Sequence, residues 1–309
     1  MTAPDASPVR VSTTLQVTAA LALGIPAMAS AAILIRLAQG AGVPSMVIAA
    51  GRLVLSALLL TPLAYRASLA PIRSLRPRTF WLVVASGLIL ALHFTLWIGA
   101  LEYVSVIIGV MLINSSPVWV ALFEAVLLRA WPKPLVLAGI VLVLASSALM
   151  ALTAAPGTGL GSNPLLGGAL AAVGAVAAAA YLIIGRWVKD DLPLMSYLWL
   201  AYGCSAVAGA VVLLIFRLPV TGYLPVGYLW VALLAIIPHL IGHSTMNFAL
   251  RHFSATYVSV ATQLVPIIAA LAAIFVFHEV PRLPQIVGAV GVVCGITLAT
   301  LGQIERRAA

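Results

Sequence analysis

The chain has 309 residues, of which 63% are hydrophobic and only 7% are charged, and its mean hydropathy is +1.18. A soluble globular protein carries about 25% charged residues, so this composition excludes a soluble fold and indicates a polytopic membrane protein. The formal net charge is +9, but the basic residues lie between apolar segments, which argues against a nucleic-acid partner and favours contact with anionic lipid headgroups.

Ten apolar segments follow one another along the chain, and each is long enough for a helix that crosses a ~30 Å hydrocarbon core. They cover 15–39, 45–65, 79–101, 104–128, 134–153, 165–188, 193–217, 226–250, 254–278 and 284–303. The first segment is too long for the apolar region of a signal peptide, so we expect it to be retained. The connections are short apart from a basic one at 66–78, and no phosphate-binding loop of the GxxxxGK[ST] type occurs. We therefore predict an all-α integral membrane protein with ten transmembrane helices and no ATP-binding domain.

The second half of the chain repeats the first at an offset of 149 residues without a gap. The matching residues include Pro44 and Pro193, Met46 and Met195, Trp81 and Trp230, Pro117 and Pro266, and Gly139 and Gly288. Each copy holds five spans, and because five is odd, the second copy must enter the membrane from the opposite side. We assign 1–154 to the first five-helix repeat, 155–164 to the connecting loop and 165–309 to the second repeat. Inverted repeats of this kind are typical of secondary transporters, whose substrate site lies between the halves.

Basic residues are distributed unequally between the two sides of the predicted membrane. With a cytoplasmic N-terminus, the cytoplasmic side holds Arg10, Arg66, Arg73, Arg76, Arg78, Arg129, Lys133, Arg186, Lys189, Arg251, Arg306 and Arg307. The other side holds only Arg36, Arg217 and Arg282. The positive-inside rule then predicts that both termini face the cytoplasm, as expected for a multi-pass protein of the cell inner (plasma) membrane.

Polar side chains inside the spans indicate where a cavity lies, because an unpaired polar group in hydrocarbon costs several kcal/mol. Span 3 carries His93 and Trp97 four residues apart, and therefore on one helix face. Span 8 carries polar residues at steps of four, with a methionine beside them: His239, His243, Met246 and Asn247.

Two further polar positions are related by the repeat. Asn114 in span 4 matches Gln263 in span 9, and each precedes a proline by three residues, Pro117 and Pro266. A proline inside a helix removes a hydrogen bond to the carbonyl four residues earlier and bends the helix. We predict two symmetry-related kinks with an amide beside each, and a central cavity lined by spans 3, 4, 8 and 9. A simple helix bend is the alternative interpretation of each proline.

Two charged residues fall within spans. Arg52 lies well inside span 2, where an arginine costs about 2.5–3.5 kcal/mol, so it needs a partner such as a helix-end carbonyl or Glu102. We expect it to act as a structural anchor or gate rather than to contact substrate. Glu124 lies near the cytoplasmic end of span 4, where it can pair with Arg129 or take part in proton coupling.

Other kinds of site find little support. His239 and His243 have the spacing of a metal-binding pair, but the segment HLIGH lacks the glutamate of a zinc hydrolase and no third ligand is near, so we predict no metal, no cofactor and no catalytic residue. Histidine at these positions can instead carry a proton. Cys204 and Cys294 lie inside spans as small buried residues. An intramembrane lipid-modifying enzyme and a passive channel or scaffold remain alternative functions.

Several segments resemble the EamA family of the drug/metabolite transporter superfamily. The segment 254–299 resembles the last two helices of that family, with Pro266, Glu279 and Gly288 at matching positions, and 104–139 follows the same pattern except that Ala130 replaces the glutamate of the turn. AAGRLVLSALLLTPL at 49–63 is similar to the second helix of the family with its arginine, Arg52. The resemblance implies ten helices in two inverted repeats and export of small metabolites, and within the family it is nearest to the YddG-type amino-acid exporters.

We therefore expect a secondary transporter that exports amino acids or similar small metabolites by alternating access, either down a gradient or coupled to protons. Trp97, Met111 and Met246 would receive an apolar side chain. The polar part of the substrate would contact His93, Asn114, His243, Asn247 and Gln263, with His239 beside them. No acidic residue is fixed in this set, which suits a zwitterion better than a cation.

Overall fold

The regular elements of the protein are all helices in the part of the chain that the computed structural model describes, residues 8–127, 133–153, 163–252, 258 and 261–308. We number the helices α1 (Pro8–Gly40), α2 (Ser45–Arg73), α3 (Pro77–Ala100), α4 (Val106–Leu127), α5 (Pro134–Leu152), α6 (Pro164–Trp187), α7 (Leu194–Ile215), α8 (Pro225–His252), α9 (Leu264–Phe277) and α10 (Leu283–Ala308). Within the described residues, eight of these are long and apolar enough to cross a membrane, while α5 and α9 are shorter apolar helices.

Helix starts follow local sequence signals. Proline occupies the first turn of α3, α5, α6 and α8, where its missing N–H is not needed by the helix. Ser105 caps α4 by accepting a hydrogen bond from the Ile108 N–H, and Asn163 caps α6 by accepting one from the Leu166 N–H. These signals explain why the predicted and observed starts of these helices agree to within two residues.

Two of the predicted connections can be compared with the structure. The segment 66–78 is not a loop over most of its length, because α2 continues to Arg73 through the good helix formers of the sequence RASLA. The predicted connecting loop at 155–164 lies outside the described residues up to 162, as do Arg129 and Ala130.

Helix pairing across the chain is symmetric with respect to its two halves. Helices α2 and α7, α4 and α9, and α5 and α10 pack against each other, while α1 packs on α8 and α3 packs on α6. If each helix is replaced by its counterpart in the other half, which lies five helices away along the chain, the same set of pairs results. The core therefore lies between the halves, and each half supplies equivalent helices to it.

Small residues bring some of these helices very close together. A Cβ atom added at Gly139 of α5 would lie 2.5 Å from the Gly295 carbonyl oxygen of α10, which leaves no room for one. Gly288 and Gly291 of α10 face Met150 and Ser146 of α5 in the same way. Close backbone approach of this kind gives helices in lipid their van der Waals contact.

Three helices depart from regular α-geometry near the middle of the fold. Helix α4 is interrupted at Asn114 and Ser115, directly before Pro117, and α9 begins after a turn at Gln263, the residue that matches Asn114. Helix α8 contains a π-helical segment, Ala235–His243, around Pro238. The position of α3 that matches Pro238 is not a proline, and α3 is a regular helix there.

Candidate functional site

A cavity of about 110 Å³ lies between the two halves of the chain. Six helices form most of its wall, α1, α3 and α4 from the first half and α6, α8 and α9 from the second, and α2 contributes Arg52. These six helices are three pairs related by the repeat. One ordered water needs roughly 10–15 Å³ by this kind of measure, so the space suits several waters or one small metabolite.

Most of the residues proposed from the sequence line this cavity. Its wall includes Arg52, His93, Trp97, Asn114, Pro117, His243, Met246 and Asn247. Met111, His239, Gln263 and Pro266 are buried and do not belong to the wall in this conformation. Met111 packs instead in an apolar cluster with Ala100, Ile108 and Val118. Direct substrate contact by any of these residues stays a prediction.

Some lining residues were not found by sequence reasoning. The wall contributed by α1 consists largely of small apolar residues such as Ala29 and Ala32, and α6 adds Ala178; these residues carry no polar signal. Phe94 and Tyr181 also line the cavity. Tyr181 had a signal that could have been used, since it is the aromatic that ends the run AVAAAAY in an otherwise small-residue helix.

The two asparagines of the wall are held by their own helices. The Asn247 side-chain nitrogen donates to the His243 carbonyl oxygen at 2.8 Å and to the Tyr181 hydroxyl at 3.2 Å, and the Asn114 nitrogen donates to the Val110 carbonyl oxygen at 2.8 Å. A backbone carbonyl only accepts, so the amide atom facing it must be the nitrogen. Each amide therefore keeps its carbonyl oxygen as an acceptor for another group.

The orientation and the tautomer of the His93 ring follow from its hydrogen bond. Its Nδ1 lies 2.9 Å from the Gly174 carbonyl oxygen of α6, so Nδ1 carries the proton and Nε2 of the neutral ring is an acceptor. Its ring also packs against Phe94 at a centroid distance of 4.8 Å. The side chain thus joins α3 to α6 across the cavity wall.

His239 differs from the other members of its predicted face. It is 0% exposed, its ring lies edge-on to Tyr202 at 4.3 Å, and its nitrogens have no hydrogen-bond partner among the described residues. His239 nevertheless packs beside His243, with ring centroids 5.6 Å apart, and beside Phe94, with ring centroids 5.1 Å apart. His243 and Asn247 line the cavity, while His239 lies directly behind these lining residues.

Arg52 is the most unusual residue of the site, because it is a charged side chain that is 0% exposed. None of its three guanidinium nitrogens has a hydrogen-bond acceptor among the described residues, so the expected pairing with Glu102 or a helix-end carbonyl is wrong. Its Cζ lies 4.0 Å from the centroid of the Phe94 ring. Such a contact contributes about 2 kcal/mol when desolvated, whereas each unsatisfied buried donor costs about 1–3 kcal/mol. The contact with Phe94 alone does not offset that cost.

Two ion pairs lie at opposite ends of α4, and each joins one half of the chain to the other. Near its start, Glu279 accepts hydrogen bonds from the Val106 and Ile107 N–H groups at 3.1 and 3.3 Å and lies 3.7 Å from Arg36 of α1. Near its end, Glu124 pairs with Arg186 of α6, rather than only with Arg129 as expected, and Arg129 lies outside the described residues. The two pairs resemble each other, since each joins the end of a first helix to a fourth helix or to the turn after it. Their glutamates are not repeat partners, because Glu279 matches Ala130 and Glu124 matches Ala273.

Glu279 lies in the turn between α9 and α10, and burial is the main influence on its acidity. Burial raises the pKa of its carboxyl group, while the two backbone N–H groups and the positive charge of Arg36 act in the opposite direction. Arg36 also donates a hydrogen bond to the Val104 carbonyl oxygen at 2.7 Å. These contacts tie α1, α4 and the α9–α10 turn together at this end of the molecule.

Comparison with known proteins identifies the family. The profile described as the EamA-like transporter family matches residues 17–152 and 165–301, which is nearly the whole chain in two copies. The chain belongs to the EamA-like transporter family. One solved crystal structure is 20% identical, covers 94% of this chain and 98% of its own, and superposes with a TM-score of 0.63, which shows a shared fold. No curated protein matches the chain.

Membership in this family confirms the resemblance drawn from Pro266, Glu279, Gly288 and Arg52. The EamA-like protein is therefore a multi-pass membrane transporter, and apolar side chains such as Leu63, Leu214 and Phe275 are exposed on its surface, as expected for a protein embedded in lipid. A member of this family moves a small molecule across the membrane rather than transforming it. Among the described residues, no group of three or more His, Cys, Asp or Glu side chains could hold a metal ion. Cys294 is exposed rather than buried, which corrects one expectation for the cysteines.

Proposed function

We propose that this EamA-like transporter exports amino acids or similar small metabolites across the inner membrane by alternating access of two inverted five-helix halves. The observation that carries the proposal is the central cavity, because its wall consists of three repeat-related helix pairs: α1 with α6, α3 with α8, and α4 with α9. In secondary transporters built from inverted repeats, the substrate binds at the interface between the repeats, often beside interrupted helices. The interruptions in α4 and α9 border this cavity.

The chemistry of the wall supports a zwitterion as substrate. The carbonyl oxygens of Asn114 and Asn247 and Nε2 of His93 are acceptors suited to an ammonium group. Trp97 and Met246 offer an apolar surface, and the cavity of about 110 Å³ excludes a peptide or a lipid. Among the described residues of the wall, no aspartate or glutamate is present to balance a free cation.

The two ion pairs at the ends of α4 support alternating access. Each pair links the two halves, so each must separate when its end of the cavity opens to water. The Arg36–Glu279 pair would close the external end and the Arg186–Glu124 pair the cytoplasmic end, given cytoplasmic termini. Both pairs are formed in this structure. Protons can couple to this cycle through Glu279 or the cavity histidines.

A counterflow assay tests the proposal. Purified protein in liposomes preloaded with an unlabelled compound is mixed with the radiolabelled form, across a panel of amino acids, nucleosides and organic cations, with and without a pH gradient. We expect saturable counterflow of apolar amino acids. Absence of amino-acid movement in both directions contradicts the proposed substrate class, and non-saturable flux would favour a passive channel.

A further inference from the structure

Arg52 brings a positive charge to the cavity wall that nothing in the described part of the chain neutralises. The side chain is 0% exposed, and all three of its nitrogens lack a hydrogen-bond acceptor there. The residues that line the cavity with it include two histidines, His93 and His243, and no aspartate or glutamate among the described positions. The wall therefore has donors and positive charge without a matching anion.

The surroundings of Arg52 do not resemble those of a structural anchor. An anchoring arginine in a membrane helix is paired with a carboxylate or with backbone carbonyls. Here the guanidinium has no such acceptor among the described residues, and the Ala235 carbonyl oxygen that contacts the next turn of α2 accepts a hydrogen bond from Ser56 at 3.2 Å. The Phe94 ring covers one face of the guanidinium, at 4.0 Å from Cζ to the centroid. Guanidinium N–H bonds point outward within the plane of the group, so stacking on its face leaves them available.

We propose that Arg52 is the binding group for a carboxylate of the substrate. This inference rests on the proposed function and specifies it: the carboxylate of an amino acid contacts Arg52, and its ammonium contacts the free oxygens of Asn114 and Asn247. An arginine binds a carboxylate through two parallel N–H···O hydrogen bonds, which gives both strength and orientation. A buried arginine that has no acceptor among the described residues gains its partner when substrate binds. Arg52 therefore determines specificity, rather than acting only as the anchor or gate that the sequence suggests.

The test uses four probes that differ only in their charged groups: L-leucine, L-leucinamide, 3-methylbutylamine and 4-methylpentanoate. Binding to the purified full-length protein is measured from the shift of its thermal unfolding midpoint, and transport is measured by counterflow in liposomes. In the unmodified protein we expect the two carboxylate probes to bind more tightly than the two that lack one. In Arg52→Gln the carboxylate probes should bind roughly 10- to 100-fold more weakly, and leucine and leucinamide should become equivalent.

Two further variants complete the experiment. Arg66→Gln makes the same substitution on the exposed side of α2 and should leave the preference unchanged. Arg52→Lys keeps the charge but loses the two-point contact, so it should retain part of the preference. If Arg52→Gln is not monodisperse on gel filtration, the comparison of leucine with leucinamide in the unmodified protein decides the question alone.

The outcomes separate this inference from the function it rests on. Equal binding of leucine and leucinamide by the unmodified protein, or an undiminished preference in Arg52→Gln, overturns the role of Arg52 while leaving amino-acid transport intact. If no amino acid binds or moves but acetate, benzoate or inorganic phosphate stabilises the protein only when Arg52 is present, the anion site stands and the amino-acid assignment fails. If no anionic probe shows any dependence on Arg52, the inference is wrong.

Discussion

Asn247 illustrates how single side chains of the cavity are positioned for a ligand. Its nitrogen is held by the His243 carbonyl and the Tyr181 hydroxyl, so its oxygen has a fixed position in the wall. Trp97 lies on α3 in the same wall and is 5% exposed. Asn247 and Trp97 therefore supply a polar and an apolar part of the wall from different helices, and each can be tested separately.

Replacing Asn247 with alanine should reduce amino-acid counterflow about tenfold or more, because a buried hydrogen bond to a charged group contributes about 1.5–3 kcal/mol. Trp97→Ala should also impair transport, through loss of apolar contact. Initial rates in liposomes with matched protein content provide the measurement. Trp187→Ala, at the exposed end of α6, is the matched control and should transport normally. Unchanged kinetics in both cavity variants would argue against this site.

The pH response of the Arg36–Glu279 ion pair follows from Glu279. Burial raises the pKa of its carboxyl in the closed arrangement. When that end opens and the group meets water, its pKa returns toward the ordinary value of about 4.3. The closed arrangement therefore binds the proton more tightly, so lowering the pH favours closure and raising the pH favours opening.

Hydrogen exchange measures this directly, because Glu279 accepts hydrogen bonds from the Val106 and Ile107 amides. After correction for intrinsic exchange rates, protection of these amides should increase as the pH is lowered from 8 to 5.5. Glu279→Gln mimics the protonated group, so its protection should no longer vary with pH. A pH dependence that persists in Glu279→Gln, or one of the opposite sign, contradicts the role assigned to this carboxyl.

At the scale of helices, close contact between α5 and α10 depends on Gly139. An added Cβ would lie 2.5 Å from the Gly295 carbonyl oxygen and 2.6 Å from the Ala299 nitrogen, both of which are backbone atoms that cannot rotate away. Gly139→Ala should therefore lower the thermal unfolding midpoint, with an overpacking cost of about 1–3 kcal/mol. Gly203→Ala on α7 has no atom within 4 Å of the added carbon, and removing a helical glycine there should be neutral or stabilising. Equal midpoints for the two variants would show that this contact is not tight.

The π-helical segment of α8 sets the register of the cavity residues that follow it. Pro238 lacks the N–H needed for a regular helix, and Pro238→Ala allows an α-helical hydrogen-bond pattern through 235–243. We expect that variant to fold with unchanged or higher stability but to transport poorly, because His243 and Asn247 rotate away from their positions. Pro62→Ala, on an exposed part of α2, should transport normally. Normal transport by Pro238→Ala would show that the segment does not position the site.

The sequence predicted the helices well and the cavity wall in part, for identifiable reasons. The helices could be predicted from the lengths of the apolar segments and from prolines at helix starts, such as Pro164 and Pro225. Both signals are local in the sequence. His93, Asn114 and Asn247 were found because polar residues in apolar spans need a polar environment. The alanines of the wall, such as Ala32 and Ala178, carried no such signal, and the periodicity that placed His239 beside His243 did not show that His239 lies behind the wall. The partners of Arg52 and Glu124 depended on contacts between distant helices.

At the scale of the whole molecule, the two halves contribute equivalent helices to one cavity, and two arginine–glutamate pairs join the halves at opposite ends of α4. Alternating access follows if the pairs separate in turn. In that cycle, the interface between the halves opens at one end while it stays closed at the other. The same wall residues are then exposed first to one side of the membrane and later to the other.

Labelling of one cavity residue from both sides of the membrane tests this most directly. Ala178 lines the cavity from α6 and is small, so Ala178→Cys can be introduced into a protein whose Cys204 and Cys294 are replaced by serine. A membrane-impermeant thiol reagent is applied to right-side-out and to inside-out vesicles, with and without a cross-link that joins positions 36 and 279. The account predicts labelling from both sides without the cross-link, and only from the cytoplasmic side with it. Labelling confined to one side without the cross-link, or none from either side, would contradict a shared cavity that opens alternately.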